Sequence, residues 1–337
     1  MAVSVTDFSD RYAVASFSDG EGILVDLSTG GYFKLNATAV LICNVLQLAG
    51  TTNEAIDLIV QHMHVTTAEA NRLVAVVREN LSQVPPRTPS SSPLVYGRHP
   101  DGSWVLEENG RTIFSIADEK RQVELRASLS QLNAPLLFYL QALVPKLLAL
   151  LDIPVMHAAA CRIGGRHLAF SGKSGAGKTT SALAFERAGA HLVSEDLLVL
   201  SVTEQDVKIH LGGERYARDW ARRIAPVLEK DCRQVIDFGV LADARTGDIV
   251  TLDTIWFIEA ERRGGSDLKL QKLPISDGAL ALLGNGFLAS FYPQQWRDFL
   301  YRSQRIAERV ELTQAIMPEG LGLLQSAARG YMVNSAS

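Results

Sequence analysis

Gly172-Lys173-Ser174-Gly175-Ala176-Gly177-Lys178-Thr179 is an uninterrupted G-x-x-x-x-G-K-T, and its reading decides the fold. Before it, His167-Leu168-Ala169-Phe170-Ser171 is a short apolar run that suits a buried strand. After it, Thr180 to Ala188 is a good helix former with apolar positions at Leu183, Ala184 and Phe185. Strand, glycine-rich turn and helix are the context a phosphate-binding loop needs. The glycines let successive backbone N–H groups face one anion, and the helix N-terminus adds partial positive charge. The expected ligand is ATP or another nucleoside triphosphate with Mg²⁺. Gly172, Lys173, Ser174, Gly175, Ala176, Gly177, Lys178, Thr179 and Thr180 would line it. Lys178 would reach the β- and γ-phosphates, and the Thr179 hydroxyl would hold the metal.

The chain around this loop has 337 residues, room for two or three domains. Hydrophobic residues make up 47% and charged residues 21%, a core-forming balance rather than a disordered one. A net charge of −4 gives no reason to expect nucleic acid as a partner. The local cluster Arg215, Arg218, Arg222 and Arg223 reads as a solvated helix face. Cys43, Cys161 and Cys232 are odd in number and far apart, so the pattern is neither a disulfide framework nor a zinc-ligand pair. All three are expected as reduced thiols, Cys43 and Cys161 in apolar surroundings. The stretch Met1 to Asp7 lacks the basic and apolar regions of a signal peptide. The longest apolar run, Ala134 to Leu151, is broken by Pro135, Gln141, Pro145 and Lys146, so no membrane span is expected and the location expected is cytoplasmic.

Four prolines in Pro85-Pro86-Arg87-Thr88-Pro89-Ser90-Ser91-Ser92-Pro93 mark a linker at 85–93. It separates a unit at 1–84 from a unit at 94–337. In the first, Arg11 to Phe17, Gly22 to Asp26 and Tyr32 to Leu35 read as strands, the last two joined as a hairpin through 27–31. Asn36 is placed to cap a helix through Leu46, Thr51 or Thr52 a second from Glu54 to His62, and Thr66 a third reaching Leu81. This layout, with Leu24-Val25-Asp26, Gly31-Tyr32-Phe33-Lys34-Leu35-Asn36 and Thr38-Ala39, resembles the peptide-chaperone family that includes PqqD. The resemblance implies a winged-helix-like α+β module. It also implies a partner, the leader segment of a ribosomally made precursor peptide, added as a strand beside the module's sheet through residues 22–46.

In the second unit, 103–106, 112–115 and 122–125 read as strands, with Asp101-Gly102 and Asn109-Gly110 as hairpin turns. A helical segment, Leu136 to Leu150, is expected to be kinked or divided at Pro145. Strands then follow at Val155 to Arg162, Arg166 to Ser171, His191 to Val193, Leu197 to Val202, Val207 to Leu211 and Thr254 to Ile258. Helices are expected at Tyr216 to Ile224, Ser276 to Phe287 and Pro293 to Val310. The fold class is α/β.

Three words in order, Met156-His157-Ala158, Phe170 to Leu183 around the loop, and Gly189-Ala190-His191-Leu192-Val193-Ser194-Glu195-Asp196, resemble the HPr kinase/phosphorylase family over 155–200. The resemblance implies transfer of a phosphoryl group to an alcohol. Lys178 would hold the phosphates, Glu195 would stand at the general-base position, and Asp196 would assist Mg²⁺ or orientation beside Thr179. His157 would stabilise charge nearby. Two departures stand out. Glu195 takes the place of an aspartate, and the family's Arg-Gly-Leu-Gly-type signature is missing between Val202 and Leu252, while Glu319-Gly320-Leu321-Gly322 comes too late. The longer glutamate shifts the reach of the base by about a methylene, and the missing signature argues against HPr as substrate and against reverse phosphorolysis. Arg215, Arg218 and Arg233 are candidates for a phosphate or acceptor clamp.

Together the two resemblances imply a kinase that phosphorylates a Ser or Thr of a captured precursor peptide, with tethering raising the acceptor to about millimolar effective concentration. The alternatives are a small-molecule kinase with a structural N-terminal module, and a nucleotide-dependent binding or regulatory protein without transferase activity. The acceptor, the preferred nucleotide and the oligomeric state, a homo-oligomer included, stay open.

Overall fold

The computed structural model describes residues 8–83, 94–98, 103–245, 247–259, 265, 267–285 and 293–335. Contacts group the chain into two compact units. The first comprises Met1–Pro89, Pro274–Gly284 and Ser290–Glu308, and the second Ser90–Leu273, Asn285–Ala289 and Arg309–Ser337. This division differs from a cut at 85–93, because a late segment joins the first unit. The linker itself and the Asp101-Gly102 turn lie outside the described residues.

The first unit opens with α1 (Phe8–Arg11), β1 (Tyr12–Ser16), β2 (Gly22–Asp26) and β3 (Tyr32–Leu35), and the strands form an antiparallel sheet in the order β1-β2-β3. Helices α2 (Ala37–Leu48), α3 (Thr52–Met63) and α4 (Thr67–Leu81) follow. Each begins at a residue whose side chain accepts an orphan first-turn N–H. Asn36 accepts from Ala39 at 2.9 Å, Thr51 from Glu54 at 3.2 Å, and Thr66 forms a reciprocal capping box with Glu69. Arg11 ends a helix rather than starting the first strand. Its guanidinium pairs at 3.1 Å with Asp26, a carboxylate 1% exposed that also accepts the Ser28 N–H.

The second unit is built from two sheets. In chain order it has β4 (Leu94–Arg98), β5 (Trp104–Glu108), β6 (Arg111–Ala117), β7 (Gln122–Leu125), α5 (Leu136–Leu150), β8 (Val155–Ile163), β9 (Arg166–Ser171), α6 (Lys178–Arg187), β10 (His191–Ser194), β11 (Leu197–Val202) and β12 (Val207–His210). Then come α7 (Gly213–Lys230), β13 (Val235–Asp237), β14 (Ile249–Thr251), β15 (Thr254–Ile258) and β16 (Lys269–Lys272). The chain continues through α8 (Ile275–Asn285) and α9 (Pro293–Arg309) to β17 (Glu311–Ile316) and α10 (Leu321–Ser335). One sheet runs β13-β7-β6-β5-β4; the other runs β14-β12-β11-β8-β9-β15-β17-β16, with β10 also on β8. Strands β9, β15 and β17 are mutually parallel, and the α/β class holds. Asn109 and Gly110 adopt φ of 52° and 75°, both left-handed as a two-residue hairpin turn requires.

Helix α5 is not divided at Pro145. The proline removes the i+4 donor for the carbonyl of Gln141, a residue on the exposed side of the helix. One residue on, the Tyr96 hydroxyl donates to the Ala142 carbonyl. Glu319-Gly320-Leu321-Gly322 leads into α10, which begins at Leu321. Among the described residues no helix is long and apolar enough to cross a membrane. Cys43 and Cys161 are buried free thiols whose pKa burial pushes up to about 12; Cys232 is exposed.

The first unit's sheet is buried on both faces. Tyr12, Val14, Leu24 and Leu35 join the core of α2, α3 and α4. Ala13, Ala15, Ile23 and Val25 alternate to the other face, yet they are at most 1% exposed. The late helices reach that face. Lys34, opposite Ile23 in register, bonds Asp277 of α8 at 2.8 Å, and the Ser276 hydroxyl bonds Glu21. Trp296 of α9 fills the space where a Cβ on Gly30 would sit, and Gln304 donates to the Ser16 carbonyl at 2.7 Å. Deleting residues 1–84 therefore uncovers α8 and α9, where Leu283, Trp296 and Leu300 are at most 4% exposed. Exposing side chains of this size costs about 1.5–3 kcal/mol each. The truncated chain is expected to aggregate or to melt well below the full chain. Size-exclusion chromatography and thermal melting check this, and a monodisperse fragment with an unchanged Tm would refute it.

Candidate functional site

Sheet register brings the three motif words together. Strand β8 is long enough to pair with β9 on one edge and with both β10 and β11 on the other. Ala158 lies opposite Ser171, the last residue before the loop, while His157 lies opposite Leu197 and Ala160 opposite Ser194. Glu195 and Asp196 fall in the break between β10 and β11. The phosphate-binding loop and the acidic pair thus flank the same stretch of β8. The loop leaves β9 at the carboxyl end of the parallel strands, where open α/β sheets place their ligands.

Gly175 and Gly177 have φ of 78° and 96°, values that favour glycine, and a Cβ on Gly172 would meet the Ile258 carbonyl at 2.8 Å. No side chain caps α6, so its first-turn N–H groups, Thr179 and Thr180 included, remain turned toward the loop. Behind it, Phe170, Phe185, Trp256 and Tyr331 form a ring cluster with centroids 4.8–6.0 Å apart that fixes α6 against the sheet.

Lys178 is 6% exposed, and its ammonium donates to the Gly172 and Lys173 carbonyls at 3.0 and 3.2 Å. Burial pulls its pKa below the ordinary lysine value, opposed by the charge of Asp196. The Thr179 hydroxyl donates to the Glu195 main-chain carbonyl at 3.2 Å. Asp196 Oδ1 sits 3.0 Å from His157 Nε2. That hydrogen bond, with the charges of His157, Arg218 and Lys178, holds the Asp196 carboxyl below the usual carboxylate range. The Glu195 carboxylate turns away to Arg218 Nη1 at 3.4 Å. Lys178, Thr179, His157, Glu195 and Asp196 are therefore neighbours, with the two acids facing different partners.

Of the three clamp candidates, Arg218 joins this group. The Arg215 side chain is 89% exposed and pairs with Asp219, and Arg233 is exposed. Arg222 and Arg223 bond Asp219 of their own helix, as a solvated face would. Glu214 is a site residue that sequence reasoning missed. Its side chain, 12% exposed, accepts from the Ser194 hydroxyl at 2.6 Å and the Glu195 N–H at 2.9 Å, and meets Arg218 Nη2 at 2.7 Å. Only the Glu214/Arg218 spacing of four along a helix hinted at it.

Residues 21–83 match the family described as Coenzyme PQQ synthesis protein D (PqqD). No curated protein matches the chain. Among solved structures, that of the Hpr(Ser) kinase/phosphatase from Coxiella burnetii aligns with 54% of this chain and 99% of its own, at 12% identity and a TM-score of 0.27. The chain joins a segment at residues 21–83 that matches the PqqD family to an α/β unit whose phosphate-loop motifs resemble those of HPr kinase/phosphorylase.

Proposed function

We propose that this protein is an ATP-dependent kinase that transfers a phosphoryl group to a Ser or Thr hydroxyl of a ribosomally made peptide held by its PqqD-like module. The carrying observation is the buried, partly desolvated Lys178 under an uncapped helix N-terminus, with Asp196 and His157 beside it. A cation held by two loop carbonyls, beside a helix N-terminus that no side chain caps, suits a phosphate chain.

The residues present fit a nucleotide with Mg²⁺. Lys178 and the loop amides would hold the phosphates, and Thr179 would contribute to the metal. Among the described residues no cluster of three or more His, Cys, Asp or Glu side chains suits a metal ion by itself, so such an ion would depend on phosphate oxygens. When bound, it would neutralise charge on the transferring group. The chain's own work is positioning. His157 keeps Asp196 ionised and oriented, Glu214 fixes the backbone at Glu195, and Arg218 restrains the Glu195 carboxylate. We assign the acceptor-facing role to Asp196 rather than to Glu195, whose carboxylate is engaged by Arg218.

Peptide capture would use β3, an edge strand of its sheet among the described residues. The Asp26 N–H donates to the Gly31 carbonyl and the Gly30 N–H to the Asp26 carbonyl. Alternation from that pair turns the Phe33 amide toward β2 and the Lys34 amide outward. Lys34→Pro is therefore expected to weaken leader-peptide binding about three- to tenfold beyond Lys34→Ala, one main-chain hydrogen bond being worth roughly 0.5–1.5 kcal/mol. Fluorescence anisotropy with a labelled leader peptide measures it, and equal affinities would remove the β3 edge as the docking strand.

The test of the whole reading is to incubate the full chain with ATP, Mg²⁺ and candidate precursor peptides and to record intact masses. A phosphate-sized gain on a peptide supports it. Phosphorylation of small alcohols alone would favour the small-molecule kinase, and nucleotide binding without any transfer would favour a regulatory protein.

A further inference from the structure

A cavity of about 100 Å³ opens beside Asp196. Gln141, Val144 and Pro145 of α5, Asp196 and Leu197 ahead of and within β11, and Ala217 and Arg218 of α7 line it. It has room for several water-sized groups, enough for one small side chain. Four of its seven walls are apolar: Val144, Pro145, Leu197 and Ala217. Arg218 is the one cation in the wall, and both its terminal nitrogens are committed, to Glu195 and to Glu214. An anion entering here would therefore face Asp196 with no cation released to receive it. Glu195, by contrast, does not line the cavity.

We propose that this cavity is the acceptor subsite: it takes a small, uncharged side chain carrying or adjoining the hydroxyl, and it excludes acidic neighbours. The proposal rests on the kinase reading and adds to it a substrate class. Asp196 belongs both to the wall of the cavity and to the group around Lys178, so a hydroxyl seated there meets the carboxylate that neighbours the phosphate-holding lysine. Pro145 acquires a use as well, because a rigid ring in an unbroken α5 forms a fixed apolar wall. Transfer then breaks the bond from the terminal phosphorus to the bridging oxygen of the triphosphate and forms one to the acceptor oxygen. The hydroxyl proton passes to Asp196, and the diphosphate leaves.

The experiment uses the full chain, ATP and Mg²⁺, with synthetic peptides carrying one Ser or Thr flanked by alanine, by aspartate or by lysine. Hydrolysis to water is recorded alongside. Gln141→Trp, at an exposed position, fills the mouth of the cavity, and Ala217→Leu fills its floor. Each is expected to lower the ratio of peptide transfer to hydrolysis at least tenfold through KM for the peptide. Aspartate-flanked acceptors are expected to be about tenfold poorer than alanine-flanked ones, the like charge at Asp196 opposing them. Arg222→Ala, on the outer face of α7, should match wild type. If wild type phosphorylates peptides and both filled variants do so equally well, with no penalty for aspartate, the cavity proposal is overturned and the kinase reading stands. If wild type phosphorylates no peptide or alcohol while binding ATP, the kinase reading fails and the subsite fails with it.

Discussion

Lys178→Ala is expected to cut phosphoryl transfer by about 10²–10³-fold or more, the scale of losing one preorganised charge donor at a transferring group. Nucleotide affinity should fall too, because the ammonium is already desolvated: burial has displaced the water that would otherwise compete for it. Lys178→Arg should not rescue the loss. The larger planar guanidinium does not fit where Nζ lies within 3.2 Å of two loop carbonyls. Titration with a fluorescent ATP analogue, together with turnover, measures both quantities. Wild-type affinity and turnover in Lys178→Ala would end the assignment of this loop to a nucleotide.

Asp196→Asn is expected to lower turnover by about 10²-fold or more while nucleotide binding survives, which separates it from Lys178→Ala. The figure is set at the lower end of general-base effects for a physical reason. The His157 hydrogen bond and nearby cations depress the Asp196 pKa, so the group stays ionised but is a weak proton acceptor. A loose phosphoryl transition state needs the hydroxyl positioned more than deprotonated early. Because a depressed carboxylate loses its charge only as pH falls through its lowered pKa, the acid limb of the profile should lie below the ordinary aspartate range. Removing the partner in His157→Ala should move that limb upward. Glu195→Gln should cost less than tenfold, since its carboxylate serves Arg218 rather than the acceptor side. The opposite ranking of the two variants would return the base to Glu195, as the family resemblance implies.

Whatever depends on neighbours along the chain was legible without a structure. The glycines of 172–177 need left-handed or crowded backbone within eight consecutive residues, and that requirement is written locally. The caps at Asn36, Thr51 and Thr66 satisfy N–H groups three residues ahead, and Asn109-Gly110 supplies the φ values its turn demands. Pro145 does not divide its helix. The local penalty of a proline is real, but a helix packed on Leu140, Leu143, Val144 and Leu147 carries the chain through it.

What only the tertiary structure decided was pairing between distant segments. Strands β13, β14, β16 and β17 are three to six residues long and carry little pattern of their own. They exist because β7, β12, β15 and β17 present edges to them. Glu214 became a site residue because α7 brings it to Ser194 and Glu195, twenty residues away in sequence for the former. The different partners of Glu195 and Asp196 likewise follow from where each side chain leaves the β10–β11 break, toward Arg218 or toward His157. The largest such decision concerns α8 and α9. Their sequence reads as two helices of the second unit, yet the fully buried Ala13, Ala15, Ile23 and Val25 required a cover that residues 8–83 do not contain, and only the fold showed that residues after 274 provide it. Local sequence specifies turns, caps and loops because their partners are a few residues apart; the far partner of a sheet face or of a carboxylate is set by packing, which no short stretch encodes.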